Sequence, residues 1–455
     1  MHASLERIEI TGLHGRKTID ASIEDNTLIL VGENGSGKTT FLRILYHFLS
    51  GRWLSLVQFR FNVITVTISG NRYSVTHDEL VSIFKKPARR VFSELPSPLR
   101  RRLLDFLERG ETDRILMELE KYSVRSGIPS EILMRQIDMF EGSPKGIKNN
   151  LKETIQKIHD AINAQFLYLP TYRRIERELS SIFEGADSDD IRRHTGRMRQ
   201  SESDDAYTEL VEFGMKDVQR AVDRTLESIK EFARENLNNL TLGYLGDVVN
   251  REYQNVGMQQ IADVTEDTVS IVLDRINESI LTTEHKNHLF NVINSARSAD
   301  KPTEHEKIIC HYFLKLLSFQ ESLQNKEKQI TEFCDLCSEY ILDKRFVYDG
   351  TTFNFTIIPR DDDFSDREIA LSDLSSGEKQ IVSLFSHLYL SGVKRFFVLI
   401  DEPELSLSVP WQRRFLTDIR NGKFCAGIVA VTHSPFIYDN DLRSYTHALG
   451  EFVDV

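Results

Sequence analysis

Apolar and polar residues alternate along the chain in three regimes. Near the start, residues 5–10 and 27–31 read as β-strands, with a looser strand at 18–23 between them. Residues 11–17 form a polar, glycine-punctuated link, and 40–49 carries apolar residues at helical spacing. Residues 61–68 are β-branched and alternating, and Ser69-Gly70-Asn71 turns them into 72–75, which predicts a hairpin. A mostly helical stretch follows from 77 to 164, broken near Pro87, Pro96, Pro98, Pro129 and Pro144. Residues 166–169 read as a short buried strand stopped by Pro170.

No proline occurs between 171 and 301. Leu210, Phe213, Val218, Val222, Leu226, Ile229 and Phe232 recur at the spacing of an amphipathic helix. A second such pattern, including Ile308, Phe313, Leu316, Leu323, Ile330 and Phe333, extends over 304–342. At 1.5 Å per residue it would be roughly 55–60 Å long. The two helices fit either a compact bundle or the limbs of a projecting arm. The arm is slightly preferred, although strict heptads are not sustained. Residues 183–206, rich in both charges, read as a mobile loop. The last regime is α/β again. Residues 345–348 and 351–358 form a hairpin about Asp349-Gly350, and residues 360–366 are a polar loop. The continuous apolar runs at 396–400 and 427–431 are those of central parallel strands.

The pattern divides the chain into an N-terminal half of an α/β head (1–76), a helical insertion (77–164), a return strand (165–175), a helical, coiled-coil-like arm (176–343) and a C-terminal half of the head (344–455). The length of 455 residues suits two or three domains. Charged residues at 28% and hydrophobic residues at 40% are globular values. The net charge of −12 gives no overall basic footprint for nucleic acid, although a local patch would suffice to bind DNA. No apolar run predicts a membrane span, the N-terminus lacks a signal-peptide core, and four cysteines suit a reducing cytoplasm.

The chemistry begins at 32–39, Gly-Glu-Asn-Gly-Ser-Gly-Lys-Thr, which fits G-x-x-x-x-G-K-[ST] without mismatch. Strand, glycine loop and helix in that order is the context of a phosphate-binding loop. Asn34, Gly35, Ser36, Gly37 and Thr40 can direct backbone N–H groups at phosphate oxygens. Lys38 can reach the β- and γ-phosphates, and the Thr39 hydroxyl can ligate Mg²⁺. A strand ending in Asp401-Glu402 supplies two acids with separate tasks. Asp401 can hold the same Mg²⁺, and Glu402 can orient the attacking water. Leu374-Ser375-Ser376-Gly377-Glu378-Lys379-Gln380 precedes a helix. There Ser375, Ser376 and Gly377 can cap the helix or offer its N–H groups to an anion. Thr432-His433-Ser434-Pro435 ends the next strand.

The 374–380 stretch resembles the signature motif of the ABC ATPase superfamily, with Ser376 in place of a glycine and Glu378 in place of a glutamine. The resemblance implies an α/β ABC-ATPase head, a mixed sheet with flanking helices and a P-loop, interrupted by a large mostly α-helical insertion. It makes His433 the switch histidine that senses the γ-phosphate, and 404–408 the D-loop, where Ser408 stands in the place of a common His. It implies Mg-ATP as cofactor and two heads that sandwich ATP head to tail, in a dimer or higher oligomer. Ser375 and Gly377 of one copy then face the γ-phosphate held by Lys38 of the other. Arg16, or Lys17, ahead of the glycine loop, would touch nucleotide phosphates as in some SMC-like heads. No residue is assigned to the Gln loop. Gln165 precedes the strand, and Arg173 and Arg174 after it serve either a nucleotide or partner, or ion pairs with Glu176 and Glu178.

The long insertion separates the chain from transporter subunits and leaves SMC-like, RecF-like and OLD-like ATPases. The wording of 168–174, 374–390 and 432–440 resembles the ATPase subunits of bacterial anti-phage systems, of the AriA type of PARIS or the PtuA type of Septu. That implies a sensor and scaffold for a separate Toprim or HNH nuclease, released by a phage-encoded trigger protein. The short stretch after His433 leaves no room for a Toprim domain, so the effector is expected in trans. The rival class is a RecF/SMC-like DNA-binding ATPase of repair or recombination. Cys334-Asp335-Leu336-Cys337 could suggest a zinc hook, but without a second pair it reads as part of a core helix. Lys85, Lys86, Arg89, Arg90, Arg100, Arg101 and Arg102 form the densest basic region. It could bind DNA or an acidic protein, with a solvated helical face as the default.

Overall fold

The computed structural model describes residues 4–84, 102, 118, 149–170, 207–209, 214–255, 261, 263–276, 281–298, 301–360, 368–393 and 395–454. In chain order the elements begin with β1 (Leu5–Leu13), β2 (Lys17–Ser22), β3 (Thr27–Val31), α1 (Lys38–Leu49) and α2 (Trp53–Val57). There follow β4 (Val63–Ile68), β5 (Asn71–Thr76), α3 (His77–Phe84), α4 (Asn149–Ile162), β6 (Gln165–Leu169) and β7 (Tyr207–Glu209). The helical portion has α5 (Met215–Val249), α6 (Glu266–Asp274), α7 (Thr283–Ser298) and α8 (Glu304–Tyr340). The chain returns through β8 (Lys344–Asp349), β9 (Asn354–Pro359), α9 (Ser376–Leu390) and β10 (Phe396–Asp401). It closes with α10 (Val409–Asn421), β11 (Cys425–Val431), β12 (Thr446–Ala448) and β13 (Val453–Asp454).

Two compact units result, one of Met1–Glu212 with Val393–Val455 and one of Phe213–Gly392. In the first unit the mixed sheet expected from sequence resolves into two sheets. One has the order β12-β3-β11-β10-β6-β7, and its pairings are all parallel. The other has the order β13-β2-β1-β4-β5 and is antiparallel. β3 and β10 read as unbroken apolar runs because both faces of the parallel sheet are covered, and every residue of β10 is buried. α1 lays Phe41, Leu42 and Leu45 into the same core, all at 0% exposure. β3 pairs with β11 in the register Ile428↔Thr27 to Val431↔Leu30, so the two chain ends share a ladder. The β4–β5 turn is tighter than expected. Ser69 (φ 48°) and Gly70 (φ 78°) alone form it, and Asn71 already pairs with Ile68. Two left-handed residues match the twist of a two-residue hairpin.

In the second unit α5 has 35 residues and α8 has 37. The C-terminal end of α5 meets the N-terminal end of α8. Asp247 accepts from His311 Nε2 (2.9 Å), and the Tyr244 and Tyr312 rings lie 4.8 Å apart. The two helices are therefore an antiparallel pair, and α6 and α7 add to them a local core with Val269, Ile293, Cys310 and Phe313. This unit thus contains two long helices and a small helical core built on them. Val218, Val222, Leu226 and Ile229 of the first amphipathic pattern are buried, whereas Leu210 and Phe213 lie outside the described residues. α8 begins with a reciprocal cap in which Thr303 Oγ1 accepts from the Glu306 N–H (3.2 Å) and Glu306 accepts from the Thr303 N–H (2.7 Å).

The expected boundary at 343/344 is displaced to 392/393, because β8 and α9 pack on α8 within the second unit. The β8–β9 hairpin turns through 350–353 rather than Asp349-Gly350. The Asp349 carboxylate accepts from the Thr351 N–H (2.8 Å) and the Thr352 hydroxyl (2.6 Å), which holds a longer loop. Cys334 and Cys337 are buried free thiols on α8, pushed above their ordinary range by burial. No metal-binding cluster occurs among the described residues. No helix among them is long and apolar enough to cross a membrane. The charged segment 183–206, Arg173 and Arg174, the polar loop 361–366 and the basic residues Lys85 to Arg101 lie outside the described residues. Of the basic region only Arg102 is placed, paired with Glu118 at 3.1 Å.

One buried polar knot ties the second unit together. Glu327 on α8, 3% exposed, accepts from Arg275 Nη2 (2.8 Å) at the end of α6 and from the Tyr348 hydroxyl (2.9 Å) on β8. Burial raises the Tyr348 hydroxyl, so it stays a donor. Glu327→Leu would leave both donors facing an apolar side chain, at a cost of about 3 kcal/mol. The measurement is urea denaturation followed by far-ultraviolet circular dichroism. An unshifted midpoint would show that the knot does not hold the unit.

Candidate functional site

The candidate site lies at the C-terminal ends of β3, β10 and β11 in the first unit, where ligands of open parallel sheets collect. The glycine loop joins β3 to α1. Gly35 (φ 80°) and Gly37 (φ 102°) take left-handed conformations that a side chain would strain, although a Cβ at Gly35 would meet nothing within 4 Å. Conformation rather than space therefore requires glycine there. Gly37 is also the N-cap of α1, so the loop runs directly into a helix N-terminus.

Lys38 is 4% exposed and folds back over the loop. Its Nζ donates to the carbonyls of Gly32 (2.8 Å) and Glu33 (2.9 Å) and lies 3.4 Å from Ser36 Oγ. Burial lowers its pKa, and the charges of Glu402, Asp401 and Glu404 pull the other way. The Thr39 hydroxyl donates to Asp401 Oδ1 at 3.1 Å across 362 positions of sequence. Asp401 ends the fully buried β10 and is itself 1% exposed. A hydroxyl beside a buried carboxylate is an oxygen pair suited to a hard divalent cation, which keeps water and phosphate oxygens as its other ligands.

Glu402 leaves β10 with φ 49°, a left-handed conformation costly for a non-glycine residue, and its N–H donates to the Val431 carbonyl (2.8 Å). Its carboxyl is pushed above the ordinary range, first by burial and then by Asp401 and Glu404, while His433 and Lys38 oppose the shift. The structure thus brings Lys38, Thr39, Asp401, Glu402 and His433 into one electrostatic neighbourhood. Asn34 and Gly35 are exposed on the loop, and Ser36, Gly37 and Thr40 are half-buried.

Arg16 does not join this group. It sits in the exposed turn between β1 and β2, its N–H on the Leu13 carbonyl (3.3 Å), and no interaction links its side chain to the glycine loop among the described residues. Gln165 opens β6, with its N–H on the Arg395 carbonyl (3.0 Å). Ser375, Ser376 and Gly377 belong to the second unit, at the N-terminus of α9. Ser375 Oγ accepts from the Glu378 N–H (3.4 Å), and Glu378 Oε2 accepts from the Ser375 N–H (2.6 Å). Lys344 holds the other Glu378 oxygen at 2.8 Å. The helix cap allowed by the sequence is therefore formed.

Sequence reasoning missed Glu404. The sequence places it only as the first residue of the 404–408 loop. In the structure its carboxylate turns back and accepts from the Thr432 hydroxyl (2.7 Å), the His433 N–H (2.7 Å) and the Ser434 N–H (3.2 Å). The available signal was the third acid of Asp401-Glu402-Pro403-Glu404, which no Mg²⁺ or water role uses.

A family model described as "AAA domain, putative AbiEii toxin, Type IV TA system" matches residues 274–439. The match spans well under half of the chain. It contains Ser375, Asp401, Glu402 and His433 but not the glycine loop. No curated protein matches the chain. Among solved structures, the chain is similar to the Smc head domain with an extended coiled coil from Pyrococcus furiosus, bound to the C-terminal domain of ScpA. Identity is 12% and TM-score 0.35, with 96% of this chain and 91% of that one covered. It is also similar to the Smc head domain with coiled coil and joint from Pyrococcus yayanosii, at 12% identity and TM-score 0.28, with 96% and 93% covered. TM-scores below 0.5 do not establish a shared fold. The family match supports an AAA-type ATPase domain over residues 274–439.

Proposed function

We propose that the chain binds Mg-ATP on residues 34–40 and hydrolyses it. The observation that carries this reading is the Thr39–Asp401 hydrogen bond of 3.1 Å, which joins a phosphate-loop threonine to a strand-end aspartate. In this reading Lys38 exchanges the Gly32 and Glu33 carbonyls for β- and γ-phosphate oxygens. Thr39 and Asp401 would hold Mg²⁺, which supplies charge neutralisation at the phosphates. Glu402 orients and deprotonates the attacking water, aided by the position that raises its proton affinity. His433 contacts the γ-phosphate.

The ATPase works as a head-to-tail dimer, in which Ser375 and Gly377 of a second copy close on the nucleotide. Hydrolysis then shifts the population between closed and open dimers. The same reading makes the protein a sensor and scaffold of a bacterial anti-phage system that controls a Toprim or HNH nuclease in trans. The description of the matched family as a putative AbiEii toxin supports a place among toxin and defence proteins.

Glu402→Gln is expected to lower kcat about 10²- to 10⁴-fold with ATP affinity retained. Steady-state turnover and equilibrium binding of a fluorescent ATP analogue measure the two effects. Turnover equal to wild type would remove Glu402 as the base. With ATP and Mg²⁺, the Glu402→Gln protein is expected to run at twice the monomer mass in light scattering. Adding Ser375→Arg should return it to one mass, and a dimer that survives Ser375→Arg would exclude the sandwich. Purification from the native operon is expected to carry a Toprim or HNH protein along. Turnover strongly stimulated by DNA ends with no nuclease attached would favour the RecF/SMC-like alternative.

A further inference from the structure

The turn after β11 carries His433, and it has a backbone problem. β11 ends at Val431, so the N–H groups of His433 and Ser434 have no strand partner. Thr432 is fully buried, with a hydroxyl that also needs a partner.

Glu404 meets all three. Oε1 accepts from both N–H groups and Oε2 from the Thr432 hydroxyl. Thr432 Oγ1 in turn accepts from the Ser434 N–H at 3.0 Å. Gln412 closes the circuit from α10. Its Oε1 accepts from the Ser434 hydroxyl (2.6 Å), and its Nε2 donates to the carbonyls of Leu407 (2.9 Å) and Glu404 (3.4 Å). The chain just after Glu402 and the turn bearing His433 are thus cross-linked by side-chain and backbone hydrogen bonds at both ends. A carboxylate suits this place because two oxygens offer enough lone pairs for three donors.

We infer that Glu404 is the positioning residue for His433, locking the turn after β10 and the turn after β11 into one block. Glu404 touches no substrate; it acts through the backbone of 432–434. This role rests on the proposed ATPase reading, with His433 at the γ-phosphate. A block of this kind makes any displacement of 402–407, including one imposed by a second copy, arrive at His433 without slack.

The test separates bonding from charge. Glu404→Ala removes every acceptor and is expected to lower kcat tenfold or more, with KM for ATP changed less than threefold. Glu404→Gln keeps Oε1 for the two N–H groups, and the Thr432 hydroxyl can reverse to accept from the new amide. It is therefore expected to rescue at least a third of the lost turnover. His433→Ala combined with Glu404→Ala should be no more than about twofold worse than His433→Ala alone, because coupled residues do not add. Hydrogen exchange of the peptide spanning 432–434 should speed up at least tenfold in Glu404→Ala, with unfolding temperature as the control for global damage. Unchanged exchange, fully multiplicative losses, or Glu404→Gln as slow as Glu404→Ala would each overturn the inference. A wild-type chain that does not turn over ATP would overturn the ATPase reading, and the exchange experiment would still decide whether Glu404 holds the turn.

Discussion

The parallel ladder between β3 and β11 is the constraint on which the first unit depends. Its two strands lie at opposite ends of the sequence, and their register sets what meets at the sheet's C-terminal edge. Closing so long a chain segment costs entropy that grows only slowly with length, so a large intervening segment is tolerable. What the closure must supply is burial. β10, β11 and β3 supply it with almost uninterrupted apolar side chains, since a sheet covered on both faces has no solvent side to satisfy. The Thr39–Asp401 bond also needs the register of β10 on β11, which pairs Asp401 with Val431. A slip of β10 by one residue would turn Asp401 to the other face of the sheet and break the site without changing composition.

The charges are arranged so that none is left alone. One lysine sits among three carboxylates, Asp401, Glu402 and Glu404, and each has a different partner. Asp401 has the Thr39 hydroxyl, and Glu404 has the 432–434 turn. Burial, and then the charges of Asp401 and Glu404, raise the Glu402 carboxyl above the ordinary range. Lys38 meanwhile keeps its donors satisfied by loop carbonyls at 2.8 and 2.9 Å, an arrangement a phosphate can replace one bond at a time.

Much of this was legible in the sequence because the signals were local. Glycine spacing before Lys38, the apolar runs at 396–400 and 427–431, and an acid pair at a strand end each carry their own physical reason. The convergence of Lys38, Thr39, Asp401 and Glu402 followed from placing parallel strands side by side. Three features were not legible. The 392/393 boundary depends on which element α9 packs against, and periodicity does not encode that. The 350–353 loop depends on Asp349 bonding to Thr351 and Thr352, a choice that competes with the simpler two-residue turn. The role of Glu404 depends on a contact 29 positions away, and a carboxylate in a loop carries no sign of which backbone it will meet.

The Ser375 motif shows how a local role and a functional one can share residues. Exchange of glutamine for Glu378 looks like a departure from the ABC signature, yet the carboxylate accepts the Ser375 N–H and the Lys344 ammonium together. A glutamine could do the first but would offer Lys344 no charge. The box satisfies the N–H groups of Ser375 and Glu378 and leaves those of Ser376 and Gly377 outside it. The start of α9 is therefore rigid where the cap holds it, and its first-turn amides are not consumed by the capping bonds. Capping alone thus neither argues against contact with an anion nor stands as evidence for it.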